Sequence, residues 1–199
     1  MSNKPRLYSF FRWILSPIFK LVFRVEFINP HNLPKEGPYI IASNHISGID
    51  PIIIAIGQKY RQIHFMAKAE LFKNKFLEWL FLSIGCFPVD RGKKDIGAVR
   101  HFEKVVEDGE VMGIFIEGTR SKTGEFLKPK NGASLIAFDT KSPVVPVCLT
   151  KTKKGIICHF GEPLSLEELG FEKGGAREYR EASRIIMDKI KLFREQDLS

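Results

Sequence analysis

A histidine and an aspartate five residues apart, in the stretch Ser43-Asn44-His45-Ile46-Ser47-Gly48-Ile49-Asp50-Pro51, are the residues best placed for chemistry. An imidazole titrates near neutrality, and a carboxylate that fixes its orientation makes it a general base. On a regular helix a spacing of five turns two side chains about 140° apart, so such a pair meets only where the backbone leaves regularity. Gly48 permits that departure, and Pro51 biases Asp50 away from the right-handed helical region. The same residues also fit an ordinary turn in which Asp50 is merely the N-cap of a following helix.

Two further polar clusters stand at the ends of apolar runs. Asp90-Arg91, beside Lys93 and Lys94, presents a guanidinium whose fork matches phosphate oxygens, although a solvated surface turn is the plainer reading of this cluster alone. Glu117-Gly118-Thr119-Arg120-Ser121 sets a carboxylate and a guanidinium three residues apart around a glycine that lets the backbone approach a ligand closely. Arg120 suits a phosphate, and Glu117 suits the orientation of that arginine or of a substrate hydroxyl. A local Glu/Arg ion pair in a turn accounts for the same residues equally well.

The elements that must position these clusters alternate in type. Strands are expected at 25–28, 39–42, 63–67, 86–89, 111–116, 144–149 and 156–160. Helices are expected at 50–58, 70–84, 95–106, 133–139 and 176–194, the first opened by Asp50 at the N-cap and Pro51 at N1. The 70–84 helix is apolar around most of its circumference, which suits deep burial or an acyl-lined groove. This alternation predicts an α/β fold, a mostly parallel or mixed central sheet with helices on both faces. In such folds ligands collect beyond the carboxyl ends of strands, where His45, Arg91 and residues 117–121 all fall.

Residues 1–24 differ from the rest. Large apolar side chains alternate there with Arg6, Arg12, Lys20 and Arg24. A signal peptide needs a longer uncharged centre, and a spanning helix needs about 20 apolar residues. What fits is one or two short amphipathic helices, broken near Pro17, lying on a membrane surface; packing against the chain's own core is the alternative. The remaining residues, 25–199, are long enough for one domain with a sizeable core. A net charge of +8 favours anionic partners, but the basic residues form no recognisable nucleic-acid module. Seventeen phenylalanines must fill a large core or meet an apolar ligand. Cys86, Cys148 and Cys158 lack any CxxC spacing and read as reduced, buried and structural, in a cytosolic compartment.

Taken together, four blocks in order resemble the glycerolipid acyltransferases, specifically those similar to 1-acylglycerol-3-phosphate O-acyltransferase. They are Asn44-His45-x-Ser47-x-x-Asp50, the arginine block 85–91, Phe115-Ile116-Glu117-Gly118-Thr119-Arg120-Ser121, and Val145-Pro146-Val147. The resemblance implies that His45 takes the proton of a lysophospholipid hydroxyl while Asp50 holds its imidazole. The alkoxide then attacks an acyl thioester directly, without an acyl-enzyme. Arg91, Glu117, Gly118, Thr119 and Arg120 carry over as acceptor-binding residues, with the arginines on the phosphate. The implied donor is acyl-coenzyme A or acyl carrier protein, with no metal and no resident cofactor. The implied acceptor is lysophosphatidate, converted to phosphatidate in phospholipid synthesis on the cytoplasmic face of an anionic membrane, to which the protein is peripheral or monotopic. Ile116 departs from the proline often found at its place, and Pro88 and Asp90 depart from the usual aliphatic form of the arginine block around Arg91. A different lysolipid acceptor, such as a lyso-ornithine lipid, is the alternative within the class; a non-catalytic peripheral membrane-binding protein is the alternative outside it.

Overall fold

Seven strands form one sheet: β1 (Val25–Ile28), β2 (Tyr39–Ser43), β3 (Ile63–Lys68), β4 (Cys86–Val89), β5 (Val111–Phe115), β6 (Val144–Lys151) and β7 (Ile156–Phe160). The computed structural model describes residues 5–83, 85–89 and 96–199. The strand order is β1-β7-β6-β2-β5-β3-β4, and every neighbouring pair is parallel except β6 with β7. The helices are α1 (Pro5–Val22), α2 (Asp50–Gly57), α3 (Lys75–Ser83), α4 (Ile96–Glu107), α5 (Gly132–Thr140) and α6 (Ala176–Leu198). The expected α/β architecture is what the chain adopts.

Strand β2 shows how the sequence builds the middle of the sheet. All five of its residues are buried, because helices cover both faces and leave no side for polar residues. Successive side chains go to opposite faces. Tyr39 and Ile41 join a core with Phe19 of α1 and Ile53 and Ile54 of α2. Ile40 and Ala42 join the core on the other face with Phe102 of α4, Ile136 of α5 and Ile186 of α6. Since β2 pairs in parallel with both β5 and β6, the loops leaving β2 and β5 emerge side by side.

Three expectations change. Helix α1 runs unbroken through Pro17. A proline removes one rung of the helix, but Phe19 is buried and Leu15 packs on the same core, so the two halves are held on either side of the gap. The single helix expected at 70–84 is a 3₁₀ turn, Ala69–Phe72, followed by α3. The break falls at Asn74, a residue type that favours helix starts over interiors; its carbonyl accepts the Glu78 N–H at 2.8 Å. Nor is this segment deeply buried, since Leu71, Trp79 and Leu82 are exposed. Finally, Asp50 is the first residue of α2 rather than its N-cap, a position taken by Ile49.

Candidate active site

The backbone leaves β2 at Ser43 and does not enter α2 until Asp50, and the intervening turn brings His45 and Asp50 together. His45 Nδ1 lies 2.7 Å from Asp50 Oδ2. The same oxygen accepts the main-chain N–H groups of Ile46 and Ser47, each at 2.7 Å. A carboxylate oxygen already holding two donors can meet Nδ1 only as an acceptor, so the imidazole is fixed as the Nδ1–H tautomer. Its Nε2 then carries the lone pair, and no hydrogen bond among the described residues occupies it. The ring is also fixed in plane, stacked on Phe115 at 3.8 Å between centroids and 11°. Phe115 in turn stacks on Phe65, whose ring occupies the space where any Cβ at Gly113 would sit.

Asn44 holds this turn against the sheet. Its Nδ2 donates to Leu149 O at 2.9 Å and its Oδ1 accepts Leu149 N at 2.8 Å. The side-chain amide thus stands in for a peptide group and continues the β2–β6 ladder one rung past the end of the strand. From β5, Ile116 N donates to Ser43 O and Ser121 N donates to His45 O, both at 2.9 Å. The Glu117–Ser121 turn is therefore bonded directly to the His45 turn, as the shared rim at the carboxyl ends of β2 and β5 requires.

Within that second turn the expected residues separate. Glu117 is only 2% exposed, and its Oε2 has no partner among the described residues. Gly118 has φ +71°, a left-handed conformation that costs glycine little, and it closes the turn by donating to Phe115 O at 2.9 Å. Thr119 and Arg120 are exposed at the rim. The Arg120 guanidinium lies over Gly48, where an added Cβ would be 3.5 Å from Nη1. Among the described residues no ion pair joins Glu117 to Arg120, so the local pair considered from sequence does not form. Arg91 lies outside the described residues.

Burial raises the Glu117 carboxyl above its ordinary range; the main-chain amides of Leu127 and His45 and the Arg194 charge pull it back, and Asp50 pushes it further up. The folded chain therefore holds this proton more tightly than the unfolded one. That contribution to stability is fully present below the ordinary carboxylate range and is lost as pH rises through the raised value. Glu117→Gln cannot ionise, so its melting temperature relative to the unsubstituted protein is expected to match near about pH 4 and to climb by about 2–4 °C near about pH 8. Thermal melts across that range measure it; an offset that does not change with pH would assign the effect to packing.

An apolar cavity of about 340 Å³ opens beside Gly48, between α1, α2 and the 69–81 segment. Tyr8 and Leu15 line it from α1, Ile52 and Ala55 from α2, and Leu71 and Phe81 from the third wall. The 70–84 segment thus lines an apolar cavity with Leu71 and Phe81 while others of its apolar residues are exposed.

Residues 24–150 match the acyltransferase family model. The chain belongs to the acyltransferase family. It is 36% identical over 149 residues to the 1-acyl-sn-glycerol-3-phosphate acyltransferase of Bacillus subtilis, covering 75% of this chain and 74% of that protein. It is 30% identical over 151 residues to the protein of the same name from Streptococcus pneumoniae, covering 71% of this chain and 56% of that protein. The fold matches the crystal structure of the 1-acyl-sn-glycerophosphate acyltransferase PlsC from Thermotoga maritima, with a TM-score of 0.75 at 23% identity over 100% of this chain and 84% of that one.

The acyltransferase contains features that no sequence motif announced. A second His/Asp pair, His159 Nδ1 with Asp197 Oδ1 at 2.9 Å, ties the last turns of α6 to β7, and the Thr150 hydroxyl donates to Asp197 Oδ2 at 2.6 Å. Those partners stand 38 and 47 positions apart, beyond any local spacing rule. Arg194 belongs to no motif, and the motif that contains Asn44 does not show what it binds, since nothing in their neighbours names the main-chain groups they meet. The three cysteines are free and buried as expected, and burial pushes the thiols up, Cys86 to about 12 and Cys148 to about 11, which leaves them unreactive.

Proposed function

We propose that this acyltransferase moves a fatty-acyl group from a thioester donor, on coenzyme A or acyl carrier protein, to the free hydroxyl of lysophosphatidate, giving phosphatidate for phospholipid synthesis. The observation that carries the reading is the His45–Asp50 pair on a turn whose Gly48 lines an apolar cavity, with Arg120 over the same glycine. His45 Nε2 takes the hydroxyl proton while Asp50 stabilises the imidazolium that forms. The alkoxide oxygen attacks the thioester carbonyl, the carbon–sulfur bond breaks, and the thiol leaves with the proton that His45 returns. The acyl chain occupies the apolar cavity and Arg120 binds the acceptor phosphate.

The reading places the enzyme on the cytoplasmic face of an anionic membrane. Supporting this, α1 turns Tyr8, Leu15 and Phe19 toward the domain while Trp13 is 72% and Leu21 81% exposed. Phe10, Ile18, Trp79 and Leu82 add to the exposed apolar surface, beside the cations Arg12 and Lys20. Among the described residues no helix is long and apolar enough to cross a membrane.

The test uses anionic vesicles carrying the acceptor. The protein is expected to sediment with them in moderate salt, to ignore duplex DNA, and to release thiol from acyl-coenzyme A or acyl carrier protein in proportion to lysophosphatidate. Arg120→Ala is expected to raise the lysophosphatidate KM about tenfold, the loss of one charge-assisted phosphate contact. Equal use of a lyso-ornithine lipid, with Arg120→Ala affecting both acceptors alike, would replace the proposed acceptor. No thiol release above a His45→Ala control with any lysolipid would end the enzymatic reading.

A further inference from the structure

On the α6 side of the rim, across the His45 turn from the apolar cavity, lies a second cavity of about 670 Å³ with a different character. Its walls are Ile46, the 121–126 loop, the end of β6 and the last turns of α6. Four cations face it, Lys122, Lys151, Lys191 and Arg194, against the carboxylates Glu125 and Glu195. No ion pair among the described residues engages Lys122 or Lys151, and Lys191 has only a loose exposed one to Asp188, at 3.6 Å. Arg194 makes the wall rigid. Its Nη1 donates to Gly124 O at 2.7 Å, its guanidinium lies 3.7 Å from the centre of the Phe126 ring, and its Nε is buried without a partner among the described residues.

Three pieces of substrate must converge on His45, and two already have places. The acyl chain suits the apolar cavity, and the acceptor phosphate suits Arg120, which does not line the polar cavity. The piece left over is the donor's carrier, which is polar, phosphorylated and much larger than a single phosphate. We infer that the polar cavity seats the phosphorylated pantetheine arm of the acyl donor, so that the donor lies across the turn at Ile46 with its thioester at His45 and its chain in the apolar cavity. This rests on the function proposed above. The exposed lysines meet the phosphate charge, and the Arg194–Phe126 wall shapes the channel for the arm.

Calorimetric titration with coenzyme A tests the site without turnover. Lys151→Gln/Lys191→Gln is expected to weaken binding about tenfold or more, and Lys151→Arg/Lys191→Arg to retain it. In turnover, the glutamine pair is expected to lose about tenfold more kcat/KM with acyl-coenzyme A than with acyl-pantetheine, which lacks the phosphates, while the lysophosphatidate KM holds. Repeating the assay with acyl carrier protein distinguishes the sources. A loss with both donors assigns the lysines to the phosphate of the shared arm, and a loss with coenzyme A alone assigns them to its nucleotide. Unchanged coenzyme A affinity in the glutamine pair overturns the inference, as does a rise in the lysophosphatidate KM in place of the donor effect. If coenzyme A binds through these lysines but no lysolipid is acylated, the proposed function fails while the site stands.

Discussion

Asp50→Asn is expected to lower kcat by about a hundredfold with little change in KM, because it removes the charge that stabilises the His45 imidazolium. Oδ2 of Asp50 collects the Nδ1–H of His45 and the amides of Ile46 and Ser47, each at 2.7 Å. An asparagine whose carbonyl oxygen takes the place of Oδ2 still accepts the two amides and Nδ1–H, but it carries no charge, and its NH₂ falls where Oδ1 lies buried without a partner among the described residues. The imidazolium that forms when Nε2 takes the substrate proton then has no carboxylate charge beside it. The turn should survive with a melting temperature lower by about 2–4 °C, since the amides exchange a charged acceptor for a neutral one. A variant that retained a tenth of its turnover would show Asp50 to be a helix-start residue and nothing more, the plainer reading its sequence allows.

His45→Ala removes the base outright and is expected to lower kcat/KM by about a thousandfold, within the range for one positioned proton acceptor. The fold should hold, because the turn hangs on Asn44 and on the main chain at His45, neither of which needs the imidazole. Equal circular dichroism and a small change in melting temperature, alongside lost turnover, separate a chemical role from a structural one. Loss of the fold in parallel with activity would instead assign the ring to packing against Phe115.

The His45 and Asp50 geometry was legible because a five-residue spacing with glycine inside and proline after it leaves few ways for the chain to run. The seven strands were legible because a sheet buried on both faces demands unbroken apolar runs, and 39–43, 111–115 and 144–149 contain them. What stayed hidden depends on distant partners. Pro17 reads as a helix break until the packing of Leu15 and Phe19 is known. Glu117 reads as half of an ion pair with Arg120 until burial separates them. Asn44 and Arg194 both meet Leu149, 105 and 45 positions away, and local pattern carries no record of such distances.

The pairing of β1 with β7 also sets an order of events during synthesis. Val25 must wait for Ile156, about 130 residues later, and β2 must wait for β5 and β6, each at least 70 residues downstream. At a translation rate of about 5–20 residues per second, the first strand spends roughly ten seconds outside the ribosome before its partner exists. Throughout that interval α1 has no finished sheet to lie on, and both its inner stripe of Tyr8, Leu15 and Phe19 and its outer stripe of Trp13, Ile18 and Leu21 face whatever surrounds the nascent chain. An apolar surface of the protein is thus offered to its surroundings before the domain that will cover one side of it is made.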